Sequence, residues 1–295
     1  MAVTQSSETE QGAPERLGVL QEPVISSGNY KYLKLALTLI LISIAAYIYD
    51  EPLGQPNGGT WIGYTLGTVG ALLIVWLGWF GIRKRRYGTG GMMLQEWLSA
   101  HVYLGFSLIV IATLHAGFQV GLNVHTLAYV LMLIVILSGV WGIYLYIALP
   151  TRMSESRGGI TLDQLVVLIA DLDKSALGKS VKLGDDINDL VRDAVENTTI
   201  GGGMVRQLSG RDPSCPTARA LERIGELVKS LSGGDAATGR QLVVDLARKN
   251  RLLTVARLDV KYRAWLNLWL LVHVPATVGL IAALIAHILS VFFYW

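Results

Sequence analysis

WLSAHVYLGFSLIVIATLHAGF, residues 97–118, and WLNLWLLVHVPATVGLIAALIAHILSVFF, residues 265–293, decide the reading of this chain. Neither stretch contains Asp, Glu, Lys or Arg. Each is long enough for a helix to cross a bilayer, which takes about 20 apolar residues. Each also carries two histidines 14 positions apart: His101 and His115 in the first, His273 and His287 in the second.

Working outward, the chain is uncharged over 52–82, 97–151 and 264–295, and 52% of its 295 residues are hydrophobic against 16% charged. That balance excludes an ordinary water-soluble domain. The expected fold is all-α: an integral membrane bundle of five transmembrane helices, roughly 32–49, 60–82, 97–118, 125–149 and 265–293. Gly121 and Asn123 are expected to separate the third and fourth spans, and Trp61, Trp97, Tyr144, Tyr146, Trp265, Trp269, Tyr294 and Trp295 to anchor span ends at the interface.

The basic run Arg83, Lys84, Arg85 and Arg86 contrasts with Asp50 and Glu51 in the loop before it. By the positive-inside rule the N-terminus and that run face the cytoplasm, and Trp295 lies outside. The run is also suited to balancing haem propionates. Residues 1–29 are polar, without a signal-peptide pattern, and are expected to form a disordered cytoplasmic tail. The first four spans occupy 30–150 and the fifth 264–295.

Between them, 151–263 holds 18 of the 25 Lys and Arg and 15 of the 22 acidic residues. It is expected to be a soluble, helical cytoplasmic insert, a docking surface or cap with no catalytic residue. Thr161 and Gln164 read as a capping box, further helices are expected over about 185–196, 217–231 and 238–262, and turns at 201–203 and 232–234. No strong breaker precedes Trp265, so the last of these helices is expected to run into the fifth span. Gly234 and Gly239 have phosphate-loop spacing, but Arg240 and Gln241 stand where Lys and Ser or Thr are needed, and no strand precedes them. Cys215 is the only cysteine, which rules out an internal disulfide, an iron–sulfur cluster and c-type haem attachment.

The histidines carry the chemistry. Fourteen steps of about 100° return to within ~40° of one helix face, and at 1.5 Å per residue they separate two rings by ~21 Å. The third and fifth spans both run outward, so His101 is expected level with His273 and His115 with His287. Two facing imidazoles at one depth suit the two axial positions of a haem iron, an arrangement that favours electron transfer over substrate binding. The competing reading is an unligated polar network or proton relay. Gly105, Ala112, Gly117, Ala276, Gly279, Ala283 and Ala286 leave room for a porphyrin or for close helix packing. Gly63, Gly67, Gly70, Gly139 and Gly142 read as packing contacts, and Pro275 as a kink beside His273. His125 reads as an exposed turn residue at the outer start of the fourth span, with bordering a quinone site or the outer haem as its second reading.

The H-x13-H pairs resemble those of cytochrome b in quinol-oxidising respiratory complexes. Their placement on the third and fifth spans is more similar still to the haem domain of the ferric reductase and NADPH oxidase superfamily. WLSAHVYLG, TLHAGF and LSGVWGIYLYIALP resemble bacterial membrane proteins of this layout. The resemblance implies a dihaem membrane cytochrome b with two haem b groups, His101, His115, His273 and His287 as axial ligands, and residence in a prokaryotic cytoplasmic membrane. No Pro-Glu-Trp-Tyr segment is present, and neither a flavin nor a dinucleotide fingerprint. Electrons are therefore expected from a quinol or from a cytoplasmic donor at the insert, and are passed to a partner such as a periplasmic c-type cytochrome. The chain is expected to be a subunit of a larger redox complex rather than a stand-alone enzyme, and to bind no nucleic acid. A self-sufficient quinol-dependent metal or oxygen reductase, and a non-redox anchor or proton-conducting module, are the alternatives.

Overall fold

A computed structural model describes residues 29–52, 56–85, 94–157 and 159–293. The tail before residue 29, Arg86, Tyr294, Trp295 and the side chains of 82–94 and 150–157 lie outside the described residues, so the expectations placed on them are not addressed. The described elements are all helical. Five helices are long and apolar enough to cross a membrane: Lys31–Tyr49, Trp61–Gly81, Gln95–His115, Val124–Leu149 and a window within Gly233–Phe293. Leu41, Leu72, Leu137, Leu271 and Phe292 are exposed along them, the outward apolar surface of a multi-pass membrane protein. The chain divides into two compact units, 1–122 and 123–295.

The first unit holds α1 (Lys31–Tyr49), α2 (Trp61–Arg85) and α3 (Leu94–His115). α3 packs on both others, around buried Leu66, Ile111 and Leu114 with Leu39, Tyr47 and Val69 against them. Trp76 and Trp97 stack with centroids 4.8 Å apart. Thr60 caps α2, its hydroxyl accepting from Gly63 N at 3.0 Å.

α3 stops at His115, three residues before the expected end. The cause is a left-handed stop signal in TLHAGF. Gly117 has φ 57°, Gly117 N donates to Leu114 O at 3.1 Å, and Phe118 N donates to Thr113 O at 3.4 Å; these are the two bonds of a Schellman cap. Phe118 then packs edge-on against Tyr47. A Cβ on Gly117 would lie 2.0 Å from Pro56 O. Gly117→Ala is therefore expected to lower the unfolding temperature in detergent. The left-handed conformation alone costs roughly 1–2 kcal/mol, and the backbone clash adds to it.

The second unit holds α4 (Val124–Arg157), α5 (Leu162–Ser180), α6 (Asp185–Glu196), α7 (Met204–Ser209), α8 (Pro216–Leu227), a short 3-10 turn (Val228–Ser230) and α9 (Gly233–Phe293). Asn123 caps α4 through Oδ1, which accepts from Thr126 N at 2.9 Å. α4 runs past the expected end at Leu149 to Arg157. The capping box at Thr161 and Gln164 is complete, with both reciprocal bonds present. α6 buries Ile187, Val191 and Ala194, and α8 buries Thr217, Ala220 and Ile224, each at helical spacing. They pack against Leu242 and Leu246 of α9, while Leu165, Ile169 and Cys215 pack near Leu253 and Ala256.

α9 does run unbroken into the last apolar stretch. It has 61 residues, about 90 Å at 1.5 Å each. It starts at Gly233, so Gly233 and Gly234 belong to its first turn rather than to a separating turn. Gly234, Gly239, Arg240 and Gln241 are helical, which agrees with rejecting a phosphate loop there. α7 has no counterpart among the expected helices.

Candidate functional site

His101 and His115 both lie on uninterrupted α3, and His273 and His287 on uninterrupted α9. The helical spacing within each pair is therefore as expected. Pro275 lies inside α9 without ending it; it removes one backbone donor two residues after His273.

In the first unit, His115 Nδ1 lies 2.8 Å from Gly63 O. A carbonyl only accepts, so Nδ1 carries the hydrogen, and the lone pair of the neutral ring is left on Nε2. The ring fills a notch on α2 made by missing side chains. A Cβ at Gly67 would be 2.6 Å from His115 Cε1, and one at Gly58 3.1 Å from the same atom. Gly63 and Gly67 are four apart and so share a face. Gly67 packs against the histidine, whereas a Cβ at Gly63 would meet backbone, 2.2 Å from Asn57 O and 2.9 Å from Gly58 C. His101 lies 5.1 Å from the Phe80 ring, tilted by 40°, and its Nδ1 is sealed from solvent.

In the second unit, His273 Nδ1 lies 2.8 Å from Ser138 Oγ. That hydroxyl donates to Val135 O at 2.8 Å, which leaves Ser138 Oγ as the acceptor and His273 Nδ1–H as the donor. The carbonyl of Ser138 in turn accepts from Trp269 Nε1 at 2.9 Å. Trp269 lies in a notch at Gly142, where a Cβ would be 2.2 Å from its ring, and Gly139 borders His273 at 3.6 Å. Trp269 and His273 rings are 5.5 Å apart. His287 meets His125 edge to face, centroids 4.4 Å apart and 85° between planes. His125 is exposed, as expected of it, but it belongs to the first turn of α4 and carries this ring contact. The pairings 125 with 287, 138 with 273 and 141 with 265 show α4 and α9 to be antiparallel.

Gly105 and Gly279 have open space where a side chain would stand. Among the described residues, no three His, Cys, Asp or Glu side chains converge as a metal cage would require. Cys215 is buried at the start of α8, with Arg257 Nη2 3.2 Å from Sγ.

Ser138, the Gly63 carbonyl and Trp269 were not legible as partners of these histidines. The one usable signal was the i, i+4 glycine spacing at 63 and 67. No protein-family model, curated protein or solved structure matches the chain.

Proposed function

We propose that this chain is a dihaem b-type cytochrome carrying electrons across a prokaryotic cytoplasmic membrane as a subunit of a larger electron-transfer complex. His101 with His273 would hold one haem on the cytoplasmic side, and His115 with His287 the other on the outer side. The observation that carries the reading is the shared state of His115 and His273. Each has Nδ1–H tied to an oxygen, which presents Nε2 as the ligand atom and fixes the tautomer, the usual outer-shell device behind a metal-bound histidine. The donor set fits haem, because a porphyrin brings its own four nitrogens and needs only two imidazoles from the protein. The lack of a three-residue cage is therefore compatible with it. When bound, the two groups supply reversible one-electron transfer.

The chain's own residues do the rest. The Gly63 carbonyl and Ser138 hydroxyl orient the rings and fix their tautomers. Apolar spans exclude water. Gly105 and Gly279 leave space along the two histidine-bearing helices. With the N-terminus in the cytoplasm, the polar segment 151–263 is a cytoplasmic docking face for a donor or neighbouring subunit. The quinone pool and a periplasmic c-type cytochrome are the candidate partners at the ends of the path.

Single-histidine replacements test the pairing. His101→Ala and His273→Ala are expected to remove the same spectral component, and His115→Ala and His287→Ala the other. Loss of different components within a pair would overturn the assignment. Ser138→Ala removes the acceptor of His273 Nδ1–H and lowers the electron donation of that ring. The expected result is a raised midpoint potential at one centre, an unchanged one at the other, and ~10-fold or more weaker retention of the affected group. A redox titration checks it; equal shifts at both centres would count against the role of Ser138.

A further inference from the structure

The segment Thr199–Asp212 leaves and rejoins α9 at one point. Arg257 Nη2 donates to Thr199 O at 3.0 Å and to Asp212 Oδ2 at 3.3 Å, and the Arg257 side chain is 9% exposed. Between these fixed ends the chain runs along α9 towards its apolar half. Gly210 lies against Lys261, where a Cβ would be 3.0 Å from Cδ. Leu208 O accepts from Trp265 Nε1 at 3.3 Å. Arg257, Lys261 and Trp265 are successive turns of one α9 face, so Leu208 reaches ~12 Å beyond the clamp. Trp265 stands at the start of the uncharged stretch 264–295.

The part of the segment that reaches Trp265 is α7. Met204, Val205 and Leu208 fall within one sector of about 100° on it, with Arg206 on the far side. Met204 is 62% and Val205 81% exposed. The neighbouring sequence is basic: exposed Arg206 and Arg211 flank the helix, with Arg206 also 3.7 Å from Asp212. Exposed apolar side chains beside exposed arginines, on a helix bonded to the first tryptophan of a span, match the boundary between anionic headgroups and acyl chains.

We propose that α7 is a membrane-surface foot, with Met204 and Val205 seated in the headgroup boundary of the bilayer that α9 enters at Trp265, and the exposed Arg206 and Arg211 facing anionic lipid. This rests on the apolar half of α9 lying in a bilayer, and not on haem binding. It fixes the polar segment to the membrane plane at a second point beside α9 itself.

The test is a nitroxide label on Val205→Cys in the full chain, reconstituted in vesicles of mixed zwitterionic and anionic phospholipid. Cys215 is 1% exposed, so the introduced thiol is the one that reacts, and the exposure of Val205 keeps the substitution from disturbing packing. Val278→Cys on the apolar half of α9 and Val244→Cys on its polar half, both exposed, serve as references. The expected result at 205 is more collision with dissolved oxygen than with a water-soluble nickel chelate, as at 278. A label that behaves as at 244 overturns the proposal, and so does one shielded from both probes, which would mark a protein contact. An aqueous signal at 278 as well would overturn the spanning reading and the foot together.

Discussion

If the chain is the proposed dihaem cytochrome, Gly67→Ala is expected to reduce the haem retained by the purified protein from two groups per chain to one. The added Cβ would stand 2.6 Å from His115 Cε1 and 2.8 Å from its Nδ1, both closer than carbon atoms pack. The imidazole must swing away, and doing so breaks its 2.8 Å bond to Gly63 O. The ring loses both its orientation and its fixed tautomer, and on this account one axial ligand with them. Gly70→Ala is the matched control, because a Cβ there meets only Ile111 and Leu108 at 3.8 and 3.9 Å. Haem quantified per chain, with the optical spectrum, checks the pair. Two intact groups in Gly67→Ala would mean that His115 is not a ligand in this orientation.

Asp173→Ala is expected to destabilise the polar segment by about 3–5 kcal/mol, and Lys249→Met by less. The two side chains form one ion pair but are not equally buried: Lys249 is 2% exposed and Asp173 19%. Removing Asp173 strands an ammonium group beside Leu242 and Leu246, with the Ala194 carbonyl left to accept from it. Removing the lysine instead leaves a carboxylate whose side chain is 19% exposed, although its Oδ1 is buried and loses its partner. Ala194 O then still accepts from Thr217 Oγ1 at 3.3 Å, so no buried carbonyl is orphaned. Thermal unfolding of both variants in detergent, followed by circular dichroism, measures the gap. Equal losses, or the reverse order, would contradict it.

How much of this could be read from the sequence depends on whether a feature is local. The five apolar helices were legible because absence of charge over some 20 residues is a strong signal. The Thr161 and Gln164 box was legible because its two bonds close within four residues. The end of α3 falls short of the apolar run because Gly117 takes a left-handed conformation, which apolarity does not signal. α7 is not legible because six residues hold less than two helical turns, too few for periodicity to register. The fourth span ends at Leu149, as expected, while the helix that carries it continues to Arg157. The histidine spacing was legible, but what holds each ring was not. Ser138 is 135 residues from His273 and Gly63 is 52 from His115, contacts that only tertiary packing creates.

That packing also leaves one competing account standing beside the proposal. Histidines bonded to Gly63 and Ser138, and a His125–His287 contact, are what a polar network without a cofactor would show as well. The measurement that separates the two most directly is a reduced-minus-oxidised optical spectrum of the purified full chain, with haem quantified per polypeptide. The account predicts two low-spin b-type groups per chain; a colourless protein would contradict it and leave the four histidines as hydrogen-bonding groups within the membrane.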